Sequence, residues 1–210
     1  MNTEELLTTT RSVRKRMDLA RSVDYAIIER CLEIAIQAPS GSNQQKWHWL
    51  VITDPDKKRA VADLYRKSFD HYLVRSQDRD GVERARQSQM LDSAVFLAEH
   101  MHEVPVLVLA CIEGRVEDKG VAAQASLYGS ILPAAWSFML ALRLHGVGAA
   151  WTTLHLVYER ETAALLGIPE NVTQAVLLPV AHYRGDSFKP AARESARTCT
   201  YWNNWGENRS

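Results

Sequence analysis

The stretch from Val121 to His145 constrains the fold more than any other part of the chain. Its 25 residues are apolar on nearly every side, and Gln124, Ser126, Ser130, Ser137 and Arg143 supply most of its polar groups. A helix apolar all round is either the central helix of a core or one packed against a partner subunit. Its length would reach across a bilayer, which takes about 20 residues, but those five side chains argue against a span. Pro133 is expected to kink the helix or mark a break.

Elements that could surround this helix are readable on both sides of it. Val104 to Ile112 is a continuous apolar run rich in β-branched residues, which predicts a strand buried on both faces. Gln174 to Tyr183 reads the same way, Trp47 to Thr53 as another strand, and Ala149 to His155 as a short strand ending in hydroxyls. Thr3 to Leu7 predicts a short helix with Thr3 as N-cap. Ser22-Val23-Asp24 starts a helix running to about Gln37, with Asp24 in its first turn, where the dipole favours negative charge. Asp54-Pro55-Asp56 starts another, and Lys57 to His102 is charged and helical in tendency. Within it, Arg75 to Arg86 is nearly all polar, either a solvated face or a lid that sets acceptor selectivity. Glu159 to Leu166 is a short helix closed by Gly167, and Gly146 is placed for a left-handed C-cap. A length of 210 residues with 46% hydrophobic content suits one globular domain spanning 1–210.

Charge and cysteine usage narrow the function classes. Twenty-five Lys and Arg balance 25 Asp and Glu, so no net field favours nucleic acid. Cys31, Cys111 and Cys199 are odd in number and widely spaced, which suits a reducing compartment better than a disulfide framework. The acidic start, Met1 to Glu5, lacks the apolar core of a signal peptide. A cytoplasmic protein without nucleic-acid or membrane partners is the expectation. His100 and His102 lie two apart and would diverge on a helix, so no metal site is assigned.

Two polar stretches carry the candidate chemistry. Ala38 to Thr53 passes from a helix end at Pro39 through Ser40, Gly41, Ser42, Asn43, Gln44 and Gln45 into a strand. Its amides can donate and accept at the rim of a planar heterocycle, or simply form a turn. Arg11 to Arg16 holds four cations in six residues beside Ser12 and can grip an anion, with a solvated basic turn as the bland alternative. Gly146-Val147-Gly148 follows a helix instead of preceding one, so it does not make a dinucleotide turn. The tail, about 194–210, carries Tyr201, Trp202 and Trp205 and is expected to dock, with a second subunit the natural candidate.

In order and spacing these pieces resemble the FMN-dependent nitroreductase family, from about Leu6 to Trp205. The residues that carry the resemblance are Arg11-Ser12-Val13-Arg14, Ala38 to Trp47, Gly146-Val147-Gly148, Trp151-Thr152-Thr153 and Lys189 to Arg193. The resemblance implies an α+β, nitroreductase-like fold: a mainly antiparallel central sheet flanked by helices, in an interlocked homodimer with FMN at the interface. Arg11, Ser12 and Arg14 would hold the phosphate, ribityl chain and pyrimidine edge. Arg193 would complete the phosphate site, with Lys189 as helper. Ser40, Ser42, Asn43 and Gln45 would approach the flavin from the opposite subunit for some of these contacts, and Thr152, Thr153 and Leu154 would lie against the ring. His155 is the candidate for touching substrate, set against a structural role for a lone strand-end His.

The implied activity is ping-pong electron transfer from NADH or NADPH through FMN to flat aromatic acceptors, nitroaromatics and quinones. Competing readings are a specialised flavin enzyme of dehalogenase, ene-reductase or flavin-destructase type, a flavin-sequestering protein, or a structural dimer. Three departures from the family pattern stand out: Thr10 replaces an arginine, Lys46 replaces a proline, and Trp136-Ser137 replaces a Gln-Asn pair.

Overall fold

The computed structural model describes residues 1–76, 83–186 and 188–208, with side chains left undescribed between 74 and 90. Four strands, β1 (Trp47–Ile52), β2 (Val106–Glu113), β3 (Val147–Ala149) and β4 (Val172–His182), form one sheet in the order β1-β2-β4-β3, each pair antiparallel. Helices α1 (Thr3–Thr9), α2 (Tyr25–Ala35), α3 (Pro55–Ser76), α4 (Glu83–His100), α5 (Val121–Leu144) and α6 (Glu159–Leu166) flank it. The α+β expectation therefore holds, in a sheet without parallel pairs.

β2 and β4 lie in the middle, and this explains their unbroken apolar runs. Along β2, Val106, Val108, Ala110 and Ile112 face the cluster built on α2 and α5, while Leu107, Leu109 and Cys111 face the one under α3, α4 and α6. With both faces covered, few positions are left for polar side chains, and at the start of β4 Thr173 and Gln174 are buried with hydrogen bonds to the carbonyls of Gly114 and Glu159. A register shift at Ala110/Cys111 marks a bulge in the β2–β4 ladder. α5 packs on the first face with Ile131, Ala135, Phe138 and Leu142 fully buried, so its apolar character serves the core. It remains continuous through Pro133, and the expected break does not occur.

Local chemistry corrects several predicted boundaries. Asn2, not Thr3, caps α1, its side chain accepting from Glu5 N–H at 2.8 Å, and the helix runs on to Thr9. Asp24 is the N-cap of α2, not a first-turn residue, and accepts from Ala26 N–H at 2.9 Å. The predicted strand Ala149–His155 is not one. β3 stops at Ala149, Thr152 makes an isolated bridge to Leu177, and Leu154–Tyr158 is a 3-10 turn. Pro179 opposite accepts from Ala150 N–H but has no N–H to return, which interrupts the ladder there. The proposed lid at Arg75–Arg86 lies outside the described side chains and, over 77–82, outside the described residues altogether.

Phe138 joins the α5 face to β1 through Trp49, their ring centroids 5.8 Å apart. Phe138→Ala should cost about 3–5 kcal/mol of stability by cavity formation, read as a lowered midpoint in chemical denaturation.

Candidate functional site

The N-terminal segment reaches the sheet at β3 and is held there by backbone chemistry. Val13 N–H donates to Ala149 O at 2.9 Å and Ser12 Oγ accepts from Trp151 N–H at 2.9 Å. Gly148 makes this approach possible, because a Cβ there would come within 2.7 Å of Val13 Cγ2. Further on, Met17 bridges to Tyr183. Side chains between these anchors face a cavity of about 600 Å³ lined by Arg11, Arg14, Lys15, Arg16, Phe188 and Lys189, among others. Arg11 donates to the carbonyl of Lys189, which ties the C-terminal stretch to the cationic wall.

Arg14 also borders a second cleft, of about 190 Å³, whose walls are Tyr65, Phe69 and Tyr72 of α3, Leu91 and Ala94 of α4, and Trp151 to Leu154. Burial lowers the Arg14 pKa, and no carboxylate among the described residues pairs with it. Thr152 Oγ1 is buried beside the same cleft, next to the Tyr65 hydroxyl. Tyr65 is buried at 3% exposure, and burial raises its phenol pKa against the pull of Thr152 and Arg14, so it stays protonated. Sequence reasoning misses the α3 aromatics, although Tyr65, Phe69 and Tyr72 recur at the helical spacing of four and three that places side chains on one face.

The polar loop before β1 lies elsewhere. Gly41 N–H donates to Ser130 Oγ at 2.8 Å and Trp47 Nε1–H to Ser130 O at 2.9 Å, which fastens the loop to the α5 face. Ser42, Asn43 and Gln45 adopt positive φ of 51°, 54° and 53°, a left-handed conformation uncommon for residues with a side chain. Gln45 Nε2 donates to Asn43 Oδ1, and Gln45 N–H to Ser40 Oγ. Lys46 pairs with Glu113 at 3.2 Å on the surface.

Within one chain this loop does not meet the cationic wall. Trp47 is level with Ile112 and Thr173, whereas Met17 is level with Tyr183. At about 3.3 Å per residue those levels are roughly 33 Å apart along β4, and the loop and the aromatic cleft sit on opposite faces of the sheet. Arg11, Ser12, Arg14, Thr152, Thr153, Leu154 and Lys189 thus gather at one place, and Ser40, Ser42, Asn43 and Gln45 at another. Arg193 is exposed, donates among the described residues to the neighbouring Ala192 carbonyl, and does not line the cationic cavity.

His155, the candidate for touching substrate, is fully buried and is not among the residues that line the cleft. Both ring nitrogens lack partners, and burial pushes its pKa down to about 4 against the pull of Glu159. Glu159 is held below the usual carboxylate range by Arg115, which grips it through two nitrogens at 2.6 and 3.0 Å. The buried thiols of Cys31 and Cys111 are pushed up to about 11 and about 12, so neither is a ready nucleophile. Among the described residues no group of His, Cys, Asp and Glu is arranged to hold a metal.

A cationic cavity thus opens beside an aromatic cleft in an α+β fold built on one antiparallel sheet. The chain belongs to the nitroreductase family, whose profile matches residues 7–182. It is 26% identical over 196 residues to iodotyrosine deiodinase 1 of Mus musculus, covering 91% of this chain and 66% of that protein. It thus spans slightly less than two thirds of that relative's length. Its fold superposes on iodotyrosine deiodinase bound to FMN and 3-iodo-L-tyrosine with a TM-score of 0.70, at 24% identity over 91% of this chain and 95% of the other. A variant of the FMN and NADPH-dependent nitroreductase NfnB, derived from sphigopyxis sp. strain HMH, superposes with a TM-score of 0.68, at 22% identity over 98% of this chain and all of the other.

The burial of His155 generates a pH dependence with a definite sign. Its folded pKa lies below the unfolded value of 6.5, so the unfolded chain takes up a proton that the folded chain refuses. Stability from this group is complete above pH 6.5 and should fall by roughly 3 kcal/mol as the pH drops to about 4, then level off. Urea unfolding of wild type and His155→Leu at matched flavin content should show the extra acid sensitivity in the wild type alone.

Proposed function

We propose that this chain is an FMN-dependent oxidoreductase, working as a homodimer, that passes electrons from NADH or NADPH to flat aromatic acceptors such as nitroaromatics and quinones. The observation that carries this reading is Arg14, a half-buried guanidinium without a carboxylate partner among the described residues, placed where the cationic cavity meets the aromatic cleft. A cation kept in that state suits an anionic or electron-rich ligand edge.

The residues present fit FMN. Arg11, Lys189 and Ser12 would hold the phosphate end with Arg14 toward the ring, and the buried Thr152 Oγ1 offers a polar contact at the ring's edge. FMN, when bound, supplies the redox chemistry of both half-reactions. The chain's own contribution is binding and shielding: Phe69, Tyr72 and Trp151 wall the cleft against water, and Tyr65, held protonated, is an O–H donor at its side.

The dimer follows from the separation of the two walls. The strained Ser40–Gln45 loop can line the flavin site only if a second copy brings it to the Arg11–Arg14 wall of the first. α5 supports this, since Val121, Ala122, Ala125 and Gly129 are exposed on an otherwise apolar helix. The tail, with Trp202 and Trp205 exposed, would dock on that partner and carry Arg193 with it.

A second reading, reductive dehalogenation of a halogenated aromatic, is favoured by the similarity to iodotyrosine deiodinase. The protein as purified should take up FMN, bleach with NADPH or NADH, and reoxidise with a nitroaromatic. Bleaching by dithionite alone, with halide released from an iodophenol, would favour dehalogenation, and failure to bind FMN would refute both. Arg14→Ala should weaken FMN by about 1.5–3 kcal/mol in a fluorescence titration with little change in thermal midpoint.

A further inference from the structure

The polar loop before β1 is tied to α5 through one residue. Ser130, 5% exposed, accepts from Gly41 N–H through Oγ at 2.8 Å and from Trp47 Nε1–H through its backbone carbonyl at 2.9 Å. Its hydroxyl proton is already committed, since Oγ donates to Ser126 O at 2.7 Å one turn back along the helix. A hydroxyl has one proton and two lone pairs, so this bond turns a lone pair toward Gly41. Gly41 has no side chain to hold the backbone off the helix, and a Cβ there would run into Ser126 Oγ. Both ends of the loop are thus fixed on one turn of α5.

Between those ends lies a backbone that needs such support. Ser42, Asn43 and Gln45 carry positive φ of 51°, 54° and 53°, and residues with side chains keep that conformation only where their surroundings over-determine it. The bonds inside the loop, Gln45 Nε2–H to Asn43 Oδ1 and Gln45 N–H to Ser40 Oγ, join its members to one another. The Ser130 bonds instead set where the loop stands. They refer it to the helix whose exposed Val121, Ala125 and Gly129 support contact with a second copy.

We propose that Ser130 is a positioning residue for the cofactor site of the opposite subunit: by fixing Gly41 and Trp47 on α5, it holds the Ser40–Gln45 loop in the shape and place at which the Arg11–Arg14 wall of a second copy receives it. The proposal rests on the FMN homodimer reading. Ser130 acts through the loop, and on the site of the copy that does not carry it.

FMN titrations by fluorescence on the purified dimer test the assignment. Ser130→Ala should raise the FMN dissociation constant about tenfold, the weight of one buried hydrogen bond, whereas Ser130→Thr, which keeps the hydroxyl, should stay within about twofold of wild type. Mixed dimers separate positioning across the interface from a loss of stability within one subunit. A dimer with Ser130→Ala in one copy and Arg14→Ala in the other, isolated through two different affinity tags, has both lesions at one site when the loop serves the opposite subunit. The second site is then intact and should bind FMN with wild-type affinity. A loop that serves its own subunit would leave one lesion at each site and no wild-type site. If the alanine variant does not fold, Trp47→Phe, which removes the indole N–H bonded to Ser130 O, takes its place in both experiments.

Unchanged affinity in Ser130→Ala, an equal loss in Ser130→Thr, or mixed dimers without a wild-type site would overturn the proposal. A wild type that binds no FMN, or binds it as a monomer, overturns the reading on which the proposal rests, whereas a dimeric wild type whose FMN affinity survives loss of the hydroxyl overturns the Ser130 assignment alone.

Discussion

Two hydrogen bonds, Val13 N–H to Ala149 O and Trp151 N–H to Ser12 Oγ, hold the N-terminal segment against the end of β3, and the site depends on them. They satisfy Ala149 O and Trp151 N–H on the edge of the chain that faces away from β4, where the cleft opens. Because Gly148 has no side chain, the segment lies flush with the sheet. Arg11 and Arg14 are then presented from a fixed backbone, which lowers the ordering cost of gripping a ligand.

Charge is distributed around that clasp in an uneven way. The chain is neutral overall, yet Arg11, Arg14, Lys15, Arg16 and Lys189 line one cavity, where Lys15 makes a marginal ion pair with Asp92 at 4.0 Å. The well-formed carboxylate pairs are elsewhere, Glu159 with Arg115 and Glu113 with Lys46. Net charge is a sum over the surface and says nothing of such segregation. Zero for the whole chain therefore coexists with a strongly positive corner.

Local patterns carried much of this architecture. The apolar runs of β2 and β4 are legible because burial on both faces removes polar positions, and the α6 bounds are legible because a left-handed Gly167 ends it. The cations of Arg11–Arg16 and the amides of Ser40–Gln45 stand out because clustered polar groups between apolar elements are conspicuous. Less visible are Phe188, Tyr65 and the burial of His155. A single aromatic in a polar stretch, an aromatic face on a charged helix, and a His after a strand look ordinary until the surfaces that meet them are known.

Sequence alone thus sufficed for the composition of the site: an N-terminal cationic stretch, a polar loop before the first strand and hydroxyls after the central helix, in the order of the nitroreductase family. Those features are local, and local chemistry is written in neighbouring residues. Only the tertiary structure could show that the loop and the cations lie at separate places along one sheet, that three arginines converge on Phe188, and that His155 is fully buried. Each of these depends on residues far apart in the chain being brought together or kept apart by the packing of β2, β4 and α5, a geometry that no short window of sequence contains.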